Sequence, residues 1–164
     1  MRIVLADLAS SDGFVSKDTV VGGYGSRLRP FSKVTSLVCH MKRRLNDRQS
    51  IHLAYLAAMA ARAGHEVAAS RGDTVDGDVV IVLSSLVDYK REVRWAERMR
   101  ARGVRVGFIG LAASKMPDLF RDSADFILDG EPEHAAARLF AGESIAGIVS
   151  SPAIADLDGL PFPR

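Results

Sequence analysis

The chain has 164 residues, of which 48% are hydrophobic, and a formal net charge of +2. That length is one ordinary domain with a real core, and that composition excludes a disordered or merely solvating chain. The charge is too small for a nucleic-acid interface, and no run nears the roughly 18 apolar residues that a transmembrane helix needs.

The basic run Lys42-Arg43-Arg44, with Arg48, reads as a solvated helix face. The single cysteine, Cys39, excludes an internal disulfide and any Cys-based zinc or iron–sulfur site on this chain alone. Asp7 interrupts the apolar start, so the N-terminus is no secretory signal, and a cytoplasmic setting is expected.

Ile3-Val4-Leu5-Ala6 predicts a buried first strand, because parallel strands covered on both faces lose polar alternation. A long stretch over 10–33 follows, holding Gly13, Gly22, Gly23, Gly25 and Pro30; unstructured loops of that length in compact domains are often functional. A helix is predicted over 34–44 and a second over 48–63, with Ser50 as its N-cap and Gly64 as its stop. Glu66-Val67-Ala68-Ala69 is a short second strand, and Val79-Val80-Ile81-Val82-Leu83 a central third.

Asp88 opens a helix with Tyr89, Val93, Ala96 and Met99 or Arg100 near one face and Arg91, Arg94, Arg98 and Arg102 outside; Gly103 ends it. A fourth strand is predicted over 104–109, a short helix over 116–121 with Pro117 in its first turn, and a fifth strand at Phe126-Ile127-Leu128. The last helix covers 132–140, with Glu131 and Glu133 near its N-terminus, where acids suit the helix dipole.

Strands alternating with helices imply βαβ units and a parallel sheet. The expected fold is a doubly wound, flavodoxin-like (Rossmann-like) α/β domain over 1–150. Its five strands run in the order 2-1-3-4-5, with helices on both faces. Residues 151–164 carry three prolines and no period, and read as a linker. A chain that ends in a linker is expected to be the front of a longer one.

In open parallel sheets ligands sit beyond the carboxyl ends of the strands. The loops there begin after Leu8, Leu83, Ile109 and Leu128, and small or hydroxyl residues dominate three of them. Such residues either make short turns or let backbone approach a large flat ligand. The segment Gly22-Gly23-Tyr24-Gly25-Ser26-Arg27-Leu28-Arg29-Pro30 resembles the phosphate-cradling loop of sugar-phosphate nucleotidyltransferases, although about a dozen residues separate it from the first strand. His40, His52, His65 and His134 have no metal-ligand spacing. Asp7 and Asp12 are the acids near the first strand, and Asp129, Glu131 and Glu133 cluster at the fifth.

Several motifs occur in a telling order. Ser50-Ile51-His52-Leu53-Ala54-Tyr55-Leu56 through Gly64-His65-Glu66-Val67 is followed by Gly77-Asp78-Val79-Val80-Ile81-Val82-Leu83-Ser84-Ser85. Then come Val104-Arg105-Val106-Gly107-Phe108-Ile109-Gly110-Leu111 with Pro117, and Ala124-Asp125-Phe126-Ile127-Leu128-Asp129-Gly130-Glu131-Pro132-Glu133. The terminal Asp156-Leu157-Asp158-Gly159-Leu160-Pro161-Phe162-Pro163 closes the series. Over about two-thirds of its length the chain resembles the cobalamin (B12)-binding domain found ahead of radical-SAM barrels.

The resemblance implies a base-off cobalamin over the carboxyl edge of the sheet, lined by Ser10, Ser84, Ser85, Leu86, Gly110, Leu111, Ala112, Ala113, Gly130 and Glu131. It implies no catalytic residue and no metal ligand from this chain. The partner would be the protein's own C-terminal radical-SAM domain, carrying the 4Fe-4S cluster and S-adenosylmethionine. Two departures stand out: the Asp-x-His-x-x-Gly motif that supplies a cobalt-ligating His is absent, and Gly110-Leu111 stands where Gly-Gly is common. The alternatives are the same fold acting as a docking or substrate-recognition domain without cobalamin, and a nucleotidyltransferase-like protein acting through the glycine-rich loop.

Overall fold

A computed structural model describes residues 1–10, 13–17, 24–45, 50–156 and 158–163. The fold is a doubly wound α/β sheet. Strand β1 (Arg2–Ala6) lies between β4 (Glu66–Ser70) and β5 (Val79–Leu83). The sheet continues through β6 (Arg105–Ile109), β7 (Phe126–Gly130) and β8 (Gly147–Ser151). Every pairing in it is parallel.

Side-chain alternation along these strands builds two cores. Ile3, Leu5, Val79, Ile81 and Leu83 point to one face. There they meet Leu53 and Leu56 of helix α2 (Ile51–Arg62) and Ala135, Ala136 and Leu139 of α5 (Glu133–Phe140). Val4, Ala6, Val80 and Val82 point to the other, against Trp95, Ala96 and Met99 of α3 (Tyr89–Ala101) and against Phe108 and Phe120. Strand β5 is buried along its whole length, which is why its sequence reads as an unbroken apolar run.

The five expected strands are present in the expected order, and the strand count is corrected to six. Strand β8 extends the sheet beyond β7, in register from Phe126↔Gly147 to Gly130↔Ser151. It leaves little hydrophobic signal because it is an edge strand with three of its five residues exposed; backbone pairing to β7, more than burial, holds it.

The short helix expected over 116–121 is also corrected. Helix α4 runs over Leu111–Lys115, and single 3₁₀ turns follow at Pro117–Leu119 and Arg121–Ser123. The Ala113 N–H donates to Ser84 Oγ at 3.0 Å, fixing α4 directly after β6, and Pro117 cannot continue it.

The stretch over 10–33 contains structure of its own: β2 (Phe14–Ser16) and β3 (Ser26–Leu28) form an antiparallel pair. Gly22, Gly23 and Asp12 lie outside the described residues, as does Arg48, expected near the start of the second helix. Helix α1 (Lys33–Leu45) begins with reciprocal bonds: the Thr35 N–H donates to Ser32 Oγ, and the Ser32 N–H to Thr35 Oγ1. It turns Val34, Leu37 and Met41 to solvent and Cys39 inward.

Gly107 shows how tightly the sheet centre is packed. A Cβ there would run into the Phe126 ring, which is itself 1% exposed and covered by the Arg105 guanidinium 5.3 Å from its centroid. Gly107→Ala is expected to lower stability by about 1–3 kcal/mol through overpacking, despite alanine's better backbone propensity; urea unfolding followed by circular dichroism measures it.

Candidate functional site

Beyond the carboxyl ends of β5, β6, β7 and β8 lies a mostly apolar cavity of about 750 Å³, within the size range of small-molecule and cofactor sites. Leu83 and Ser84 close it from β5, Ile109, Gly110 and Leu111 from the β6–α4 junction, and Ser114 and Lys115 from the end of α4. The wall continues through 130–133, through Ile51, His52 and Tyr55 of α2, and through Lys17. Ser151, Ala153, Ile154 and Leu160 complete it, so the segment expected to be a linker lies against the site.

Local chemistry explains the cavity's shape. Gly110 stands at φ 99°, a conformation that side-chain-bearing residues rarely adopt, and this bends the chain from β6 into α4. A Cβ on Gly130 would strike the Ser151 carbonyl, so glycine lets β7 and the end of β8 come together at the rim. Ser114 Oγ accepts the Gly130 N–H at 3.2 Å, and Ser151 Oγ accepts the Ala135 N–H at 3.3 Å. The Ile154 N–H donates to Glu131 Oε2 at 2.6 Å, which ties the C-terminal segment to the rim.

A buried ion cluster stands at the carboxyl ends of β1 and β5. Lys17 Nζ lies 3.1 Å from Asp7 Oδ1, 3.0 Å from Glu92 Oε1 and 3.0 Å from the Leu83 carbonyl, so all three ammonium protons are used. Arg71 holds the other Asp7 oxygen at 2.6 Å. Glu92 is 0% exposed and accepts both the N–H and the hydroxyl of Ser85, at 2.9 and 2.8 Å. Burial raises the Glu92 carboxyl above its ordinary value, against the opposing pull of Lys17 and Ser85. With its ammonium fully engaged, Lys17 is no nucleophile; it fastens the end of β2 to the carboxyl ends of β1 and β5.

Of the residues expected to line a ligand, Ser84, Gly110, Leu111, Gly130 and Glu131 meet at this cavity. Ser85 is committed to Glu92. The Leu86 N–H donates to the Tyr24 carbonyl, and its side chain packs on the core formed with α3. Ala112 and Ala113 are buried in that same core rather than in a loop, because α4 begins earlier than expected. Ser10 follows the first strand and does not line the cavity.

Sequence reasoning missed Lys17, His52, Tyr55 and Glu133 as cavity residues. His52 and Tyr55 are three apart on α2, a spacing that shares one helix face and was a usable signal. Lys17 left none, since only the tertiary fold brings it to Asp7 and Glu92. The acids expected at the start of α5 are there, and Glu133 turns into the wall: it is 7% exposed, and its Oε2 is buried without a hydrogen-bond partner. Burial raises the Glu133 carboxyl, with Glu131 adding to the shift and His52 and His134 opposing it.

Of the glycine-rich segment, Arg27 reaches the start of α3. Arg27 Nη2 donates to the Val87 carbonyl and to Asp88 Oδ1, each at 2.6 Å, bracing the loop before α3. Asp88 precedes that helix but makes no side-chain cap bond. Among the described residues, no three His, Cys, Asp or Glu side chains gather as a metal site, and no helix is long and apolar enough to cross a membrane. Among known proteins, no family model and no curated protein matches the chain.

Lys17→Met leaves Glu92 buried without its counter-ion and is expected to cost about 3 kcal/mol near neutral pH. Glu92 binds its proton more tightly folded than unfolded, so the stability tied to it is present at low pH and is lost as pH rises through the folded value. Removing Lys17 raises that value further, so the variant's deficit should shrink as the pH is lowered toward 5. Denaturant midpoints over that range check this; a deficit that grows on acidification would contradict the assignment.

Proposed function

We propose that this domain binds cobalamin in its base-off form and positions it for a radical-SAM domain of the same protein. The observation that carries the reading is the cavity. A mostly apolar space of about 750 Å³ at the carboxyl edge of a doubly wound sheet brings together the motif residues Ser84, Gly110, Leu111, Gly130 and Glu131. The order of the sequence motifs favours cobalamin as the ligand, and the size and mostly apolar character of the cavity support this reading for its nucleotide tail.

The residues present fit such a group. Gly110 and Gly130 keep side chains off the rim, and Ser84 and Ser114 put hydroxyls into the wall. The buried, unpartnered oxygen of Glu133 offers a further polar contact in a space that is mostly apolar. When bound, the cofactor would supply methyl-transfer or related radical chemistry; this chain's residues bind it, orient it and exclude water. A partner domain with an iron–sulfur cluster and S-adenosylmethionine, and a cytoplasmic location, belong to the same reading.

The test is retention of colour. The full chain mixed with hydroxocobalamin and desalted should keep corrin absorbance at about one equivalent. Leu111→Trp, which fills the cavity from the first turn of α4, should weaken binding by about tenfold or more. Desalted protein without corrin bands, or unchanged affinity in the Leu111→Trp variant, would remove cobalamin from this site.

A further inference from the structure

Glu133 is a feature of the cavity that folding alone does not explain. Its side chain is buried in the first turn of α5, in the cavity wall, and Oε2 has no hydrogen-bond partner. An unsatisfied buried carboxyl oxygen destabilises a protein, and such a group calls for a reason. Among the described residues no cation forms an ion pair with it: its own backbone N–H, His52 and His134 favour the carboxylate, and Glu131 opposes them. Lys17, the buried cation of the wall, has given its protons to Asp7, Glu92 and the Leu83 carbonyl.

A ligand buried here would bring the complementary need. In base-off cobalamin the benzimidazole ring has left the metal, so its ring nitrogen carries a free lone pair. Placed in an apolar cavity, that acceptor requires a donor. A carboxyl that burial holds toward its protonated form is such a donor.

We propose that Glu133 anchors the buried end of the ligand by sharing one proton with the ring nitrogen of the benzimidazole tail. The inference rests on the cobalamin reading above and adds to it the residue that selects the base-off form. The proton lies between the carboxyl oxygen and the ring nitrogen, and no covalent bond other than the shared O–H or N–H is involved. Glu133 is thereby a binding residue and takes no part in chemistry at the metal.

The experiment compares two corrinoids on the full chain: hydroxocobalamin, and cobinamide, which has the corrin ring and lacks the nucleotide tail. Affinities are measured by absorbance titration for the wild type, Glu133→Leu and Glu133→Gln. Glu133→Leu should lose about tenfold or more in cobalamin affinity and leave cobinamide binding unchanged. Glu133→Gln, whose amide N–H can donate to the same nitrogen, should keep most of the cobalamin affinity.

Glu133→Leu should melt no lower than the wild type, since it removes an orphaned polar atom; this separates lost binding from lost folding. Equal losses for both corrinoids, or no loss for cobalamin in the leucine variant, overturn the role of Glu133 while leaving the cobalamin reading intact. A wild-type chain that binds neither corrinoid overturns both.

Discussion

The structure turns on the ammonium of Lys17 held between the buried carboxylate of Glu92 and the half-buried one of Asp7. Asp7 ends just beyond the first strand and Glu92 sits on the inner side of α3; both are placed by the sheet and its helix layer. Glu92 could not stay charged in the interior without a partner, because isolated buried charges are costly. Lys17 supplies that partner from the end of β2. The same contact brings the ammonium to the Leu83 carbonyl at the end of the central strand. One cation thus joins the first strand, the central strand, the α3 helix and the long first loop at the edge where ligands of such folds bind.

That arrangement divides the carboxyl edge into two regions of opposite character. Around β1 and the inner side of α3 the ion cluster is closed: Asp7 is held by Lys17 and Arg71, Glu92 by Lys17 and Ser85. Around β6, β7 and α5 the surface is mostly apolar and opens into the cavity, where Glu133 keeps an oxygen without a partner. A satisfied network is rigid and specifies one arrangement; an orphaned group beside an apolar space invites a ligand. The second region is where recognition is proposed.

Much of the fold was legible in the sequence because burial on both faces of a parallel sheet leaves unbroken apolar runs. Val79-Val80-Ile81-Val82-Leu83 could hardly be anything else, and the glycines Gly64 and Gly103 marked where helices stop. What escaped was held by backbone or by charge. Strand β8 pairs with β7 through its main chain while Gly147, Ile148 and Ser150 stay exposed, so it carries no hydrophobic period. Helix α4 was misplaced because Leu111-Ala112-Ala113-Ser114 reads as a small-residue loop until the Ser84 hydroxyl is seen holding the Ala113 amide. The site was half legible. Loop position at strand ends pointed to Ser84, Gly110, Leu111, Gly130 and Glu131, whereas Lys17 and Glu133 acquire their meaning only from neighbours distant in sequence.

Amide NMR tests, at the level of single residues, the proposal that a corrinoid occupies the cavity beyond β5, β6 and β7. On adding one equivalent of hydroxocobalamin, the amide signals of Ser84, Gly110, Leu111, Gly130 and Glu131 should shift or broaden together, and those of the exposed α1 face should stay in place. Perturbations gathered instead around Arg27 and Arg29, or none at all, would contradict the account.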